Sequence, residues 1–320
     1  MSNKKHKTSI GGQAIIEGVM MRGPYKTAMA VRKSDGEIIV ETNENGTKQK
    51  NKFLKLPIIR GCVSFVESLV IGMKAMMFSA DQMDVDDEDE KESKFDKWLD
   101  DKFGDKIKDI VIYVSIIISL ALSIALFIML PTAATRWIEW LLKLTPLSHI
   151  AEKQVFTSIC EGAIKLIIFV GYLAIVSVMK DIKRVFEYHG AEHKTISCYE
   201  SGEELTVENV KKHTRFHPRC GTSFLLFVMI VSIILFAMLP RTGIFLRMLL
   251  RLLLLPAVAG ISYEIIKWAG RSENRCVMLL SKPGLWLQKL TTREPDDEQI
   301  EVAIKSMQAV IPENKEEDKW

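Results

Sequence analysis

Four stretches of the chain run apolar for about the thickness of a bilayer, with strongly polar segments between them. Residues 110–130 carry no charge at all, enough for one helix to cross the hydrocarbon. Residues 163–179 hold only Lys165, close enough to one end for its ammonium to reach the headgroups. Residues 222–239 are again uncharged, and residues 244–268 are apolar but for Arg247, Arg251 and Glu264. One such stretch could be a buried core helix; four predict an α-helical membrane protein with about four transmembrane helices. Arg247 and Arg251 are four apart on one helix face and are expected to reach the outer headgroups. Glu264 lies near the other end of its span and needs a partner, either a metal or an arginine.

The soluble parts read differently. "TAMAVRK" and "GEIIVET" alternate around Ser34-Asp35-Gly36, a hairpin signal in a small N-terminal β unit. "GGQAIIEGVMMRGP" is glycine-punctuated but lacks the spacing of a phosphate loop. Residues 61–80 are nearly long enough to span, yet Glu67, Gly72 and Lys74 interrupt them; an interfacial or membrane-packed helix is expected. "TRWIEWLLKL", residues 135–144, predicts a second interfacial helix. "DQMDVDDEDEKE" reads as a solvated acidic linker. Near the end, Pro295 and the acids Asp296, Asp297 and Glu298 open an amphipathic helix, with Ile300, Val302, Ala303, Met307 and Val310 as its buried stripe. "NKEEDKW" is expected to be an unstructured end.

These segments lay out five parts. Residues 1–60 form a cytoplasmic β-containing unit, 61–80 the interfacial or membrane-packed helix and 81–108 the acidic linker. Residues 109–268 are a four-helix transmembrane domain with a cytoplasmic His/Cys loop at 180–221, and 269–320 are a cytoplasmic tail. Loop charge sets the orientation. The 180–219 segment carries Lys180, Lys183, Arg184, Lys194, Lys211, Lys212, Arg215 and Arg219, whereas 132–162 carries only Arg136, Lys143 and Lys153. Both termini are therefore expected in the cytoplasm of a bacterial cell membrane. A net charge of +3 and the lack of aromatic-interleaved basic runs argue against nucleic acid. Five cysteines without a CxxC pair argue against a disulfide framework.

The chemistry concentrates between the second and third spans. His189-Gly190-Ala191-Glu192-His193 has the pattern HxxEH, which on a helix puts two imidazoles one turn apart with a glutamate between them. In inverted zinc peptidases the glutamate is the general base, and a third protein ligand comes from elsewhere. His213, His217 and Cys220 follow in "KKHTRFHPRCGTSF"; Glu200, Glu203, Glu204, Glu208 and Glu264 are further candidates. Histidine with cysteine favours zinc over magnesium. The simpler alternative pairs the histidines with Glu187, Glu192 or backbone carbonyls. A closed shell of His189, His193, His217 and Cys220 would make a metal structural rather than catalytic. Gly190 weakens the expectation of a regular helix.

"GGQAIIEGVMMRGP", "YHGAEHKTISCYE", "HPRCGTSF" and "PGLWLQKLTTREPDDEQIEVAI" together resemble the YqhQ family of bacterial polytopic membrane proteins. The resemblance covers most of the chain. It implies a domain of unknown function labelled as a predicted metal-dependent enzyme, and the same His189, Glu192, His193, His217 and Cys220. Two functions compete. One is a metal-dependent hydrolase acting on a membrane protein or a lipid headgroup, with Glu192 as base, Cys220, His217 or Glu264 completing the ligands, and Arg22 or Arg219 steadying an anion. The other is a non-catalytic membrane adaptor that regulates assembly, quality control or turnover of another membrane protein, such as a translocation channel. The lipid bilayer is a partner in either case.

Overall fold

A computed structural model describes residues 6–45, 54, 56–83, 106–146, 148–151, 154–217, 219–240, 242–271 and 275–319. The acidic run at 84–92 and Pro218 lie outside the described residues. Contacts divide the chain into two compact units, 1–83 with 173–320, and 84–172.

In the first unit, β1 (Gly11–Ile15), β2 (Gly18–Arg22), β3 (Lys26–Arg32) and β4 (Ile38–Glu44) form an antiparallel meander in that order. The expected hairpin is β3–β4, pairing Arg32 with Ile38, and Gly36 supplies the left-handed residue of its turn at φ +87°. The "GGQAIIEGVMMRGP" stretch is itself the β1–β2 hairpin. Among the described residues this unit also holds the helices α1 (Ile59–Gln82), α6 (Lys180–Ser201), α7 (Val207–Lys211), α8 (Gly221–Ala237), α9 (Ile244–Arg271), α10 (Arg275–Thr291) and α11 (Asp297–Gln308).

Strand alternation gives the sheet two apolar faces. Val19, Met21, Ala28 and Ala30 join Tyr188 and Ala191 of α6 and Ile300, Ala303 and Met307 of α11 in one core. Ile15, Met20, Met29 and Val31 join Ala75 of α1, with Ile71, Met76 and Phe78 packed beside it, in the other. The C-terminal half of α1 thus covers the sheet, while Val66, Leu69, Val70, Met73 and Met77 leave an apolar face exposed. α11 follows its sequence closely. Asp296 caps it, a reciprocal bond with Gln299 completes a capping box, and the expected stripe is buried.

α1 and α9 cross where Gly61 and Gly260 leave room, a Cβ on Gly61 falling 2.9 Å from the Gly260 Cα. Arg60 grips Glu264 there with both arms of its guanidinium. Arg251 is buried and lies over the Phe236 ring of α8 at 5.4 Å, facing a neighbouring helix rather than the headgroups expected for it. The tail is also more ordered than its composition suggests. Lys315–Asp318 form a 3-10 turn, and buried Asp318 takes 2.6 Å hydrogen bonds from Thr8 Oγ1 and His6 Nε2. Its partners lie some 310 residues away, so no local pattern could show them.

The second unit holds α2 (Lys106–Ile124), α3 (Leu130–Lys143), α4 (Ser148–Ala151) and α5 (Gln154–Val176), whose last residues belong to the first unit. A π turn at Ala125–Met129 joins α2 directly to α3, so "TRWIEWLLKL" continues the preceding helix instead of starting a separate one. The wider turn falls just before Pro131, where the backbone lacks a donor.

Among the described residues, four helices are long and apolar enough to cross a bilayer by length and composition: Ile59–Gln82, Ile117–Lys143, Gln154–Val176 and Phe245–Ala269, with Phe224–Ala237 shorter. Four is the number expected, but α1 enters the set and α8 falls just short of it.

The segment after α10 lies across α6 at Gly190. The Arg293 N–H donates to the Phe186 carbonyl at 2.8 Å, the Arg293 guanidinium reaches the Ser177 carbonyl, and a Cβ at Gly190 would collide with the Arg293 carbonyl oxygen. Helix propensity alone gives Gly190→Ala a gain of about 1 kcal/mol. The packing reverses the sign: Gly190→Ala is expected to lose about 1–3 kcal/mol. Gly171→Ala, where a Cβ meets nothing, serves as control. Thermal melting of the two variants checks this, and a Gly190→Ala protein as stable as its parent would refute the close approach.

Candidate metal centre

The HxxEH segment is fully helical inside α6. Its face toward the sheet carries Tyr188, Ala191 and Cys198, and those apolar positions fix the helix rotation. The neighbouring face then turns His189, Glu192 and His193 toward the start of α8. Cys220 is the N-cap of α8, its Sγ accepting from the Thr222 N–H at 3.4 Å.

Candidate ligand atoms of His189, His193 and Cys220 lie within 4.8 Å of one another. His189 Nε2 is 3.2 Å from the Cys220 sulfur, and the two imidazole centroids are 4.4 Å apart. Tetrahedral bonds of about 2.0–2.3 Å put ligand atoms roughly 3.3–3.7 Å apart, so the donor set fits a transition metal after a small contraction. Each ring is oriented from behind. His189 Nδ1–H donates to the Thr291 carbonyl at 2.7 Å, and His193 Nδ1–H to the Arg215 carbonyl at 2.5 Å. A carbonyl only accepts, so both Nε2 atoms are left to the centre. Backbone pairing and convergence, alternatives on sequence grounds, coexist here on opposite ring nitrogens.

Glu192 is buried beside them. One of its oxygens, Oε2, lies 3.9 Å from His189 Nε2 and has no hydrogen-bond partner. His217 is adjacent, its ring 5.7 Å from that of His193, but its Nε2 faces Glu200 at 3.5 Å. Glu200 is also paired with Arg219 and takes the Thr8 N–H at 2.8 Å. Glu264 is not brought to the cluster, since Arg60 holds it. His213 and Glu203 meet Cys198 in a separate group at the end of α6. Arg22 lines a cavity beside the sheet.

Several positioning residues escaped the sequence. Fully buried Gln288 clasps the His217 backbone, taking its N–H at 2.9 Å and donating to its carbonyl at 2.7 Å. Arg215 donates to the Thr292 carbonyl and Lys194 pairs with Glu294 at 2.8 Å, which ties the 291–295 segment to both histidine supports. The "LQKLTTRE" stretch was visible, but these groups act through backbone atoms and side-chain amides that carry no motif of their own.

The proton inventory of the centre is unusual. Burial alone would push the Cys220 thiol up, but His189 and His193 draw it well below the usual thiol range. Burial would likewise lower His189, yet the Cys220 charge and Glu192 raise it to about 9. Burial raises Glu192, opposed by His193 and His189. Glu200 is lowered: burial opposes this, but His217 and Arg219 prevail. With His189 raised to about 9 and Cys220 drawn down beside it, the pair next to Glu192 favours its imidazolium–thiolate form. A metal needs His189 neutral, so binding must displace its proton. Zinc titrated calorimetrically at pH 7, in buffers of different ionisation enthalpy, is expected to release about one proton per ion or more. Affinity should rise with pH until about 9, where His189 is already neutral half the time. Binding that is independent of pH between 7 and 9 would contradict this arrangement.

Comparison with known proteins agrees with the resemblance read from the motifs. The family model described as "Protein of unknown function (DUF1385)" matches residues 56–313. "Uncharacterized protein YqhQ" of Bacillus subtilis (strain 168) is 36% identical over 315 residues, 97% of this chain and 95% of that protein. No solved structure matches. The chain belongs to the DUF1385 family.

Proposed function

We propose that this member of the DUF1385 family is an integral protein of the bacterial cell membrane that works as a metal-dependent hydrolase on the cytoplasmic side. The observation that carries the reading is Glu192 Oε2, a buried carboxylate oxygen that makes no hydrogen bond although it lies 3.9 Å from His189 Nε2, beside three converging ligand atoms. Buried polar atoms are ordinarily satisfied, and an exception calls for a functional account.

A transition metal bound by His189, His193 and Cys220, with zinc suited to this nitrogen and sulfur set, supplies a Lewis acid that ionises water near neutral pH. Three protein ligands leave a fourth position for substrate. The chain's own groups do the rest. The Thr291 and Arg215 carbonyls fix the imidazole tautomers. Glu192 accepts a proton from the attacking water on its free oxygen and passes it to the leaving group; a carboxyl raised by burial can do both. His217 stays with Glu200 and keeps the fourth position open. Cys220 also lines a cavity of about 640 Å³, which gives substrate a way in.

Chain parity supports the membrane arrangement. α6 and α11 share a core with the sheet, and Thr8 and His6 are bonded to Asp318. The N-terminal unit, α6 and the C-terminal segment therefore lie on one side of any membrane. If α1, Ile117–Lys143, α5 and α9 were the crossings, α6 would follow three crossings and lie opposite the sheet it packs on. Crossings at α2–α3, α5, α8 and α9 satisfy every contact, with α1 held against the sheet and its exposed apolar face toward lipid. α8 has 17 residues, about 25 Å of helix, the short end of what spans. The lysines and arginines of 180–219 make the shared side cytoplasmic. Reporter fusions are expected to place residue 146 outside, and residue 204 and the C-terminus inside. An outside reading at residue 204 would overturn the arrangement.

Purified protein is expected to hold about one equivalent of transition metal by elemental analysis, falling below about a tenth of an equivalent in Cys220→Ser and His193→Ala. Glu192→Gln should retain its metal yet fail to complement a deletion strain, as His193→Ala does. If Glu192→Gln complements fully while His193→Ala does not, the metal is structural and the adaptor function replaces the hydrolase.

A further inference from the structure

The cavity that reaches Cys220 has a divided wall. Phe65 and Leu69 of α1, Phe224 of α8 and Ile266 of α9 make one side apolar, and the Phe65 and Phe224 rings lie 5.7 Å apart. Gln13 of β1 and Ser64 and Ser68 of α1 make the other side polar. Two cations border it. Arg219 is already committed to Glu200 and the Thr8 carbonyl. Lys267 is different: its ammonium lies 5.9 Å from the Tyr263 ring centroid, and it feels the Glu264 carboxylate one turn back only through space, because Arg60 takes that carboxylate's hydrogen bonds. With Glu264 held by Arg60, the Lys267 ammonium keeps its donors for an anion in the cavity. Tyr263 is also shared with a second cavity of about 490 Å³ beside β1, which extends the space along the polar side.

Phe65, Leu69, Phe224 and Ile266 come from helices that enter or lie against the membrane, whereas Gln13 comes from the sheet and Arg219 from the segment just before α8, with α1 adding Ser64 and Ser68 beside them. That is the arrangement of a hydrocarbon–headgroup boundary, with the thiol at its inner end. We propose that this cavity binds a membrane amphiphile with an anionic headgroup, an acyl or prenyl chain along Phe65, Leu69 and Phe224 and the headgroup against Lys267, so that the group to be hydrolysed faces Cys220 and Glu192. This rests on the hydrolase reading and specifies its substrate class as lipid rather than a protein segment. About 640 Å³ holds a headgroup and the first part of a chain; the rest of the chain runs out past exposed Leu69. A transmembrane peptide segment would need a groove open along a whole helix and no half-buried cation in its wall.

The test uses the full-length protein, delipidated in neutral detergent and examined by native mass spectrometry with phosphatidylglycerol or phosphatidylcholine of identical acyl chains. Phosphatidylglycerol is expected to bind on the order of tenfold more tightly. Lys267→Met, which keeps the stem and removes the charge, should abolish the preference. Ser68→Trp, which fills the space between the walls, should abolish binding of both lipids, with circular dichroism and metal content confirming that the fold is intact. Equal binding of the two lipids, an undiminished preference in Lys267→Met, or displacement of the lipid by inorganic phosphate at matching concentration would each overturn the proposal, the last because a soluble anion would then suffice. Metal content in the same samples separates the two readings. Full metal without lipid preference refutes the lipid site alone, and lipid preference in a wild-type protein that holds no metal refutes the hydrolase alone.

Discussion

The absence of one side chain, at Gly190, lets the segment after α10 rest directly on α6. The orientation of both imidazoles follows from that contact. Arg293 hydrogen-bonds to the helix backbone, which brings the Thr291 carbonyl behind His189 and the Thr292 carbonyl to Arg215. Arg215 in turn presents its own carbonyl to His193. A glycine inside a helix costs about 1 kcal/mol in propensity. Here it gives two imidazoles a fixed tautomer, which no amount of helix stability could supply. The same glycine that weakened the expectation of a helix is what makes the helix usable.

The fold was legible where its causes are local. Alternation around Asp35-Gly36 gave β3 and β4, and the acids after Pro295 gave α11, because pleat, turn and cap act over a few residues. Uncharged runs gave the long helices for the same reason. What escaped was nonlocal. The β1–β2 hairpin hid in a glycine-rich stretch whose register depends on its neighbours. The tail looked disordered because Asp318 finds its partners at the other end of the chain. The break expected before Thr135 did not occur because a π turn absorbs the missing donor of Pro131.

At the centre the sequence carried residue types but not assignments. HxxEH with a downstream Cys was enough to propose His189, His193 and Cys220, which the fold does bring together. It could not separate His217 from Cys220, as both follow at suitable distance. The difference lies in Glu200 and Arg219, which occupy His217, and in Gln288, which holds its backbone. Glu264 was credible as a ligand only while its position in space was open; Arg60, a residue with no sequence signal of its own, takes it.

Cys220 joins this centre to the membrane-facing helices. As N-cap of α8 its sulfur accepts a backbone N–H at the positive end of the helix dipole, which favours the thiolate. The charge that a metal requires is thus stabilised by a helix whose own position depends on packing against α9 and α10. α9 is in turn locked to α1 by Gly61, Gly260 and the Arg60–Glu264 pair, and α1 carries both the sheet and one wall of the cavity. A displacement of α1 by cavity contents would therefore pass through α9 to the N-terminus of α8 and alter the field at the thiolate. The apolar helices thus bear on the electrostatics of the centre through the N-terminus of α8, while the 291–295 segment sets its geometry from the sheet side.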